Sequence, residues 1–283
     1  MKIGLSLLVL FSCCLLALAP IPSVRAEDEP TGDEAQVEAK RLNDRIEKSV
    51  DWYDVYPDAD SKEILKPQPV LRWRNVARGQ AGEAMMVFWA WHGRPVAMAS
   101  IYPWEGALYH EFGSLSRAAK LVARDRGNIA WSPNAAGVEF KDVPEAPEPA
   151  DTPVARLRQM RAIATRFTAT MTGWKGDNSD REELRLLPRP LLRYDLKDAQ
   201  GAHPNLIDGA AYAFAMGTDP EVVLLLEAVS SGSEARWQYA LARATSGGLE
   251  ARLEGKVVWV GEKYPPNRGR TYPQFTLGRP LEE

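Results

Sequence analysis

Beyond Cys14 this sequence contains no cysteine. The two it has, Cys13 and Cys14, lie inside an apolar run from Ile3 to Ala19. If that run is removed, the remaining body has no disulfide, no thiolate nucleophile and no thiolate metal site. Histidine is nearly as scarce, with three in 283 residues. No HExxH pair and no second histidine one helical turn away accompanies any of them, so a zinc site lacks ligands. The chain also lacks a GxSxG elbow, a phosphate-cradling glycine loop and a dinucleotide fingerprint. No catalytic residue, metal or cofactor is therefore assigned from motifs. An excess of basic charge is missing too: the formal net charge is −3. Sequence-independent nucleic-acid binding needs a basic footprint, so no nucleic-acid partner is expected.

What the chain does have begins at its N-terminus. Lys2 precedes the apolar run, Pro20 and Pro22 break it, and Val24-Arg25-Ala26 offers small or modest residues at −3 and −1 before Glu27. Residues 1–26 read as a signal peptide, which implies a periplasmic or extracellular protein with no stable membrane insertion after cleavage. Leu10-Phe11-Ser12-Cys13 puts a bulky Phe where a lipidation site takes a small residue, which argues against an acyl anchor on Cys13. Loss of Lys2 and Arg25, two positive charges with no acid among them, moves the formal charge from −3 to −5. Without disulfides the exported body must be held by its core, and its length is ample for one.

The remaining chain divides into an acidic lead-in at 27–34, a first body at 35–132, a linker at 133–152, a second body at 153–260 and a tail at 261–283. Pro144, Pro147, Pro149 and Pro153 stand among Glu145, Glu148 and Asp151, the composition of a stiff, solvated connection. The two bodies match. A shift of 121 lays Leu42, Ile46, Val50 and Arg45 on Ile163, Phe167, Met171 and Arg166, and lays Pro67–Trp73 on Pro188–Tyr194. A shift of 125 brings Trp89 to Phe214 and Pro95 to Pro220. At 128, Leu121–Trp131 meets Leu249–Trp259 with five identities in eleven positions. This pattern predicts an internal duplication.

Each unit opens on a helix. Asp151-Thr152-Pro153 is a start signal with proline at the first helical position, and Leu157, Met160, Ile163, Ala164, Phe167 and Met171 form an apolar stripe after it. Arg158, Arg161 and Arg166 read as a solvated face. Asp33 opens the weaker first helix. Strands follow: Met85–Trp91 and Val96–Tyr102 flank His92-Gly93-Arg94-Pro95, and 210–216 and 221–229 flank Gly217-Thr218-Asp219-Pro220. The expected class is α+β, a duplicated unit of one helix and four or five antiparallel strands, cystatin-like or hotdog-like by analogy. Val87, Trp89 and Trp91 point one way from their strand and Met86 and Phe88 the other. Both faces need cover, so the two sheets are expected to pack as one pseudo-twofold body.

The candidate binding residues are Trp89, Trp91, Trp104, His110, Glu111 and Arg193. Nine tryptophans make stacking on a sugar or peptide conceivable, with Trp104 the one expected at the surface. Trp131 and Trp259 occupy matching positions and read as packing. Arg193, matched by Arg72, would clamp a carboxylate or hold a strand end. His110 and Glu111 are neighbours in a strand and so face opposite ways, which weakens them as a dyad. The copies differ where His110-Glu111-Phe112 meets Trp237-Gln238-Tyr239, and a site kept by one copy would lie there.

Ala150-Asp151-Thr152-Pro153 running into Ala155–Arg161, Gly217–Val222, and Arg236–Arg243 together resemble a family of secreted proteins from planctomycete-type bacteria to which no activity is assigned. The resemblance implies export in a bacterium and carries no functional residue over. The leading expectation is a non-catalytic exported protein that binds a small molecule, glycan or partner protein. A hydrolase centred on His110 and Glu111, and a structural or assembly protein of the cell envelope, are the alternatives.

Overall fold

The structure, a computed structural model, describes residues 32–74, 83–173, 180–197, 201–232, 234–263 and 268–281. Residues 1–26, expected to be a signal peptide and including Cys13, lie outside the described residues, as does most of the acidic lead-in. The class is α+β, mostly sheet with two helices. Helix α1 (Gly32–Ser49) ends in a 3-10 turn at Val50–Trp52. Seven strands follow: β1 (Asp54–Tyr56), β2 (Pro67–Trp73), β3 (Ala84–Trp91), β4 (Arg94–Trp104), β5 (Ala107–Ser114), β6 (Val122–Asp125) and β7 (Asn128–Trp131). A two-residue strand β8 (Lys141–Asp142) precedes α2 (Pro153–Ala164). Then come β9 (Phe167–Thr172), β10 (Arg181–Leu186), β11 (Leu192–Arg193), β12 (Leu206–Met216), β13 (Asp219–Ser231), β14 (Glu234–Arg243), β15 (Gly248–Leu253), β16 (Lys256–Gly261) and β17 (Gln274–Pro280).

The strands form three antiparallel sheets: β1-β6-β7, β17-β5-β4-β3-β2, and a long one ordered β16-β15-β9-β10-β12-β13-β14-β8 with β11 beside β12. Apolar patterning dictates how they stack. Val87 and Trp89 join Ile46 and Val50 of the first helical segment in one core. Met86 and Phe88, on the other face of β3, meet Ala211, Val223, Leu225 and Ala242 of the long sheet. The far face of the long sheet packs Tyr212, Phe214 and Leu224 on Met160 and Ile163 of α2. The order through the molecule is helix, sheet, sheet, helix, as the two-faced hairpin required.

Several local expectations need correcting. Thr152 Oγ1 accepts the Ala155 N–H at 3.3 Å and caps α2, but the helix stops at Ala164. Phe167 and Met171, read as part of its stripe, are strand residues in β9. There the burial alternates, with Phe167, Ala169 and Met171 inside and the β-branched Thr168, Thr170 and Thr172 between them. The spacing of four suited both periods, and the threonines decide for the strand. The alignment of the helices at 121 fails with it. Val55 pairs with Ala123, and Ala169 with Ala251. If those ladders are laid on one another at 128, Val55 falls on Ala169, a shift of 114, and Tyr53 on Phe167. His110 pairs with Ile101 and Tyr239 with Leu226, so a shift of 125 between those ladders would match His110 to Tyr239 rather than to Trp237. The stretch read as a tail supplies β17, which pairs with β5 along its length. The linker is partly packed: Val138 and Val143 are buried in it.

Elsewhere the ladders run in step. β3–β4 slips register between Trp89 and Ala90, and β12–β13 between Phe214 and Ala215, both at a shift of 125. β6–β7 slips between Ala123 and Arg124, and β15–β16 between Ala251 and Arg252, at 128. The turns after β6 and β15 also match, with positive φ at Arg126-Gly127 and at Glu254-Gly255.

The hairpin His92-Gly93 has φ of 46° and 81°, the pair a two-residue type I′ turn requires. Its tip is wedged on the second half. A Cβ on Gly93 would stand 1.7 Å from the Asp195 carbonyl oxygen. Gly93→Ala is therefore expected to destabilise by about 1–3 kcal/mol, from strained φ and forced separation of the halves. Urea unfolding measures it, and an unchanged midpoint would contradict this packing.

Candidate functional site

Two polar clusters first explain where the arginines went. At the seam between the halves, Glu227 is 1% exposed and receives Arg94 Nε at 2.7 Å and Arg117 Nη2 at 2.8 Å. Tyr194 donates its hydroxyl to the same carboxylate at 3.3 Å. Burial, then the Glu227 charge, push the Tyr194 phenol well above its ordinary range. The Arg117 guanidinium is held below its ordinary value by burial and then by the like charge of Arg94. In the second cluster Asp208 accepts Arg156 Nε at 2.8 Å and Arg193 Nη2 at 2.7 Å. Arg156 reaches back to the Ala150 and Asp151 carbonyls and Arg193 to that of Pro153. Arg193 thus clamps a carboxylate of its own chain and ties the start of α2 to the sheet.

The other candidate residues are scattered. Trp89 is core. Trp91, half-buried, gives its indole N–H to Glu63 at 3.3 Å and meets the His203 ring edge-on at 5.4 Å. Trp104 is exposed at the β4–β5 turn, as expected. His110 is 0% exposed, its Nε2 3.0 Å from Ser49 Oγ. Glu111, on the opposite strand face, accepts Gln274 Nε2 at 2.9 Å. The structure brings none of these into one cleft with another, apart from contacts within the fold.

The open space lies where motifs did not point. Two cavities, of about 240 and 230 Å³, meet at Ala136, Gly137 and Trp259. The first runs between Tyr239 and Leu241 of β14 and Val258 and Trp259 of β16, with Glu139 and Lys141 at its rim. The second continues past Ala242 and Arg243 to Arg268, Tyr272 and Gln274. Together they form a groove along one edge of β14. At Gly137 the linker hugs the end of β5: a Cβ there would lie 1.9 Å from the Ser114 carbonyl oxygen. The groove offers an aromatic wall, with the guanidinium of Arg268 4.4 Å above the Tyr272 ring. A third cavity, about 300 Å³ beside α2, is flanked by Arg166, which bonds to Glu254 of the β15–β16 turn and to the Pro144 carbonyl of the linker.

Trp259 was read as packing because it matches Trp131. Trp131 does pack, with 0% exposure and its indole N–H donated to the Tyr272 carbonyl at 2.8 Å. Trp259 is only half-buried and faces both cavities. Its difference from Trp131 depends on the C-terminal segment, which covers one tryptophan and leaves the other, and no local motif encodes that. Among the described residues, no three His, Cys, Asp or Glu side chains are grouped to hold a metal ion. Among them too, no helix is long and apolar enough to cross a membrane. No family model, no curated protein and no solved structure matches the chain.

Proposed function

We propose that this chain is an exported, non-catalytic binding protein, built as a pseudo-twofold duplication, whose ligand enters the groove at Trp259. The duplication is supported by the shared bulges and turns. Arg124 donates to the Gly127 carbonyl at 3.3 Å and Arg252 to that of Gly255 at 2.9 Å, the same clamp on each turn. Export is supported by the charged start, apolar run and Val-x-Ala site of residues 1–26. Trp259 carries the binding reading: it is the partly exposed member of a tryptophan pair whose other member is sealed, and it lies where two cavities join. Concave, largely apolar sites with a few convergent polar groups are where small ligands and peptides bind. The hydrolase alternative has no comparable support, because His110 has no exposed surface and Glu111 faces away from it.

A thermal-shift screen of the purified protein against sugars and peptides, repeated on Trp259→Ala, tests this. A ligand at a hundredfold excess over Kd stabilises by about 2.7 kcal/mol, or roughly 5–10 °C in Tm for a body of this size. Trp259→Ala is expected to keep its own fold and lose that rise. An equal rise in both proteins would place the ligand elsewhere.

A further inference from the structure

Resting on the binding reading above, the ligand class follows from two tryptophans that match in sequence and differ in one hydrogen bond. Trp131 gives its indole N–H to the Tyr272 carbonyl at 2.8 Å. The indole N–H of Trp259, on the wall of the cavity between β14 and β16, has no hydrogen-bond partner among the described residues. An indole nitrogen donates and does not accept, and such a donor is costly to leave unpaired once water is excluded. The chain itself shows which group suits this position. It is an uncharged amide oxygen, as Tyr272 supplies to Trp131.

The same cavity has further polar groups on its wall. Tyr239 is 5% exposed, and its hydroxyl has no hydrogen-bond partner among the described residues. Burial, then the Glu139 charge, raise the phenol above its ordinary value, so it stays neutral at neutral pH. Leu241 adds backbone groups. β8 pairs with β14 only at Gln238↔Asp142 and Tyr239↔Lys141. Before Lys141 the chain turns aside, with Phe140 under the Arg117 guanidinium at 4.0 Å and the Gly137 N–H donated to Ser116 O at 2.9 Å. The Ala244 N–H donates across to Glu221 O on β13 at 2.8 Å. Bonding alternates along an antiparallel strand, so Leu241, three residues earlier, turns its N–H and C=O the other way, toward the cavity.

These groups select by hydrogen bonding and not by charge. Glu139 and Lys141 stand at the rim, one of each sign. Arg243, in the adjoining cavity, is taken up by the Gly247 and Glu262 carbonyls at 3.1 and 2.9 Å. Neither sign of ligand charge gains here, and either would give up its water. A sugar brings more hydroxyls than these few groups can satisfy. The rest of the wall is apolar, from Val138, Leu241, Val258 and the Trp259 ring. One acceptor for Trp259, one donor for Tyr239 and an apolar body describe a neutral amide.

We propose that the cavity between β14 and β16 binds an uncharged secondary amide with a branched or cyclic apolar group. Its carbonyl accepts the Trp259 indole N–H, as the Tyr272 carbonyl accepts that of Trp131. Its N–H donates to the Tyr239 hydroxyl oxygen, and its apolar group lies along Leu241 and Val258.

The test uses the full purified protein, isotope-labelled in its tryptophan indoles, and four probes. N-acetyl-leucinamide is a peptide-like amide and N-cyclohexylacetamide an acylated amine. N-acetyl-leucine carries a carboxylate, and cellobiose is a neutral sugar. At least one neutral amide is expected to move the single indole N–H resonance that Trp259→Phe removes. Trp259→Phe and Tyr239→Phe, which each delete one polar group and keep a ring, should each bind that amide about fivefold less tightly by calorimetry. Either variant carries the test should the other not fold. N-acetyl-leucine and cellobiose should bind at least about tenfold more weakly than the amide. A response to N-acetyl-leucinamide alone supports the proposal with a peptide as the source, and a response to N-cyclohexylacetamide alone supports it with an acylated amine.

Unchanged affinity in both variants would overturn the proposal. So would N-acetyl-leucine binding as tightly as its amide, or cellobiose moving the Trp259 resonance when the amides do not; both of these leave the binding reading standing. A Trp259 resonance that moves with protein concentration and with no probe would make a second copy the occupant and overturn the proposal too. A resonance moved by no probe, and by nothing in the sugar and peptide screen, would sink both readings.

Discussion

Replacing Glu227 with Gln is expected to destabilise the protein by about 3–5 kcal/mol, roughly 10 °C in Tm. Glu227 lies on β13 and is the carboxylate between Arg94 at the start of β4 and Arg117 beyond β5, so both halves of the chain meet on it. Arg94 is 7% exposed and keeps its planar fork on the two carboxylate oxygens, at 2.7 and 3.3 Å. Once the carboxylate is neutral, a guanidinium stays desolvated with no opposite charge, and the Tyr194 hydroxyl shares what acceptors remain. Arg117 has a side chain 44% exposed, so Arg117→Ala should cost no more than about 1 kcal/mol. The double variant Arg94→Met, Glu227→Leu separates pairing from burial. If the loss in Glu227→Gln comes from an orphaned charge, the apolar pair should recover most of it. Denaturant unfolding of the four proteins decides the matter, and a Glu227→Gln midpoint close to the parent would show that the cluster does not hold the seam.

Much of the layering was legible in the sequence. The two-sided hydrophobicity of β3 demanded cover on both faces, and the positive-φ turn at His92-Gly93 was signalled by its glycine. The Asp151-Thr152-Pro153 start gave the first turn of α2. The end of that helix was less legible, because Phe167 and Met171 fit either period and the alternating Thr168, Thr170 and Thr172 are what favour the strand. The groove could not be read at all. Its walls come from the linker, from β14 and β16 and from residues 268–274, brought together by a C-terminal strand that crosses to the other half. Trp131 and Trp259 look alike in sequence, and nonlocal cover alone makes one a core residue and the other a wall. Arg193 illustrates the same limit in reverse. A residue with the geometry to clamp a ligand carboxylate holds Asp208 of its own chain instead.

His110 should make the protein lose stability on acidification in a way that one substitution removes. The imidazole packs among Trp52 and Tyr53, at ring distances of 5.1 and 5.3 Å. Ser49 spends its hydroxyl proton on the Ile46 carbonyl at 2.8 Å, so Nε2 of His110 is the nitrogen that carries hydrogen and donates to Ser49 Oγ. Nδ1 is buried and has no hydrogen-bond partner among the described residues. A proton added there finds no acceptor. Burial, and after it the nearby Arg279 charge, hold the imidazole down to about 3 from an ordinary 6.5. The unfolded chain therefore takes up a proton over a range in which the folded chain does not. The contribution is whole above about pH 6.5 and drains as the pH falls toward 3, on the order of 5 kcal/mol in all. His203, also held below its ordinary value chiefly by burial, acts in the same direction but is only half-buried. His110→Phe keeps an aromatic ring in the site without a titrating group. Urea unfolding of both proteins at pH 7, 5 and 4 should show the parent losing several kcal/mol more than the variant. Parallel losses would mean that His110 takes up its proton without leaving the core, and that the site is wetter than its packing implies.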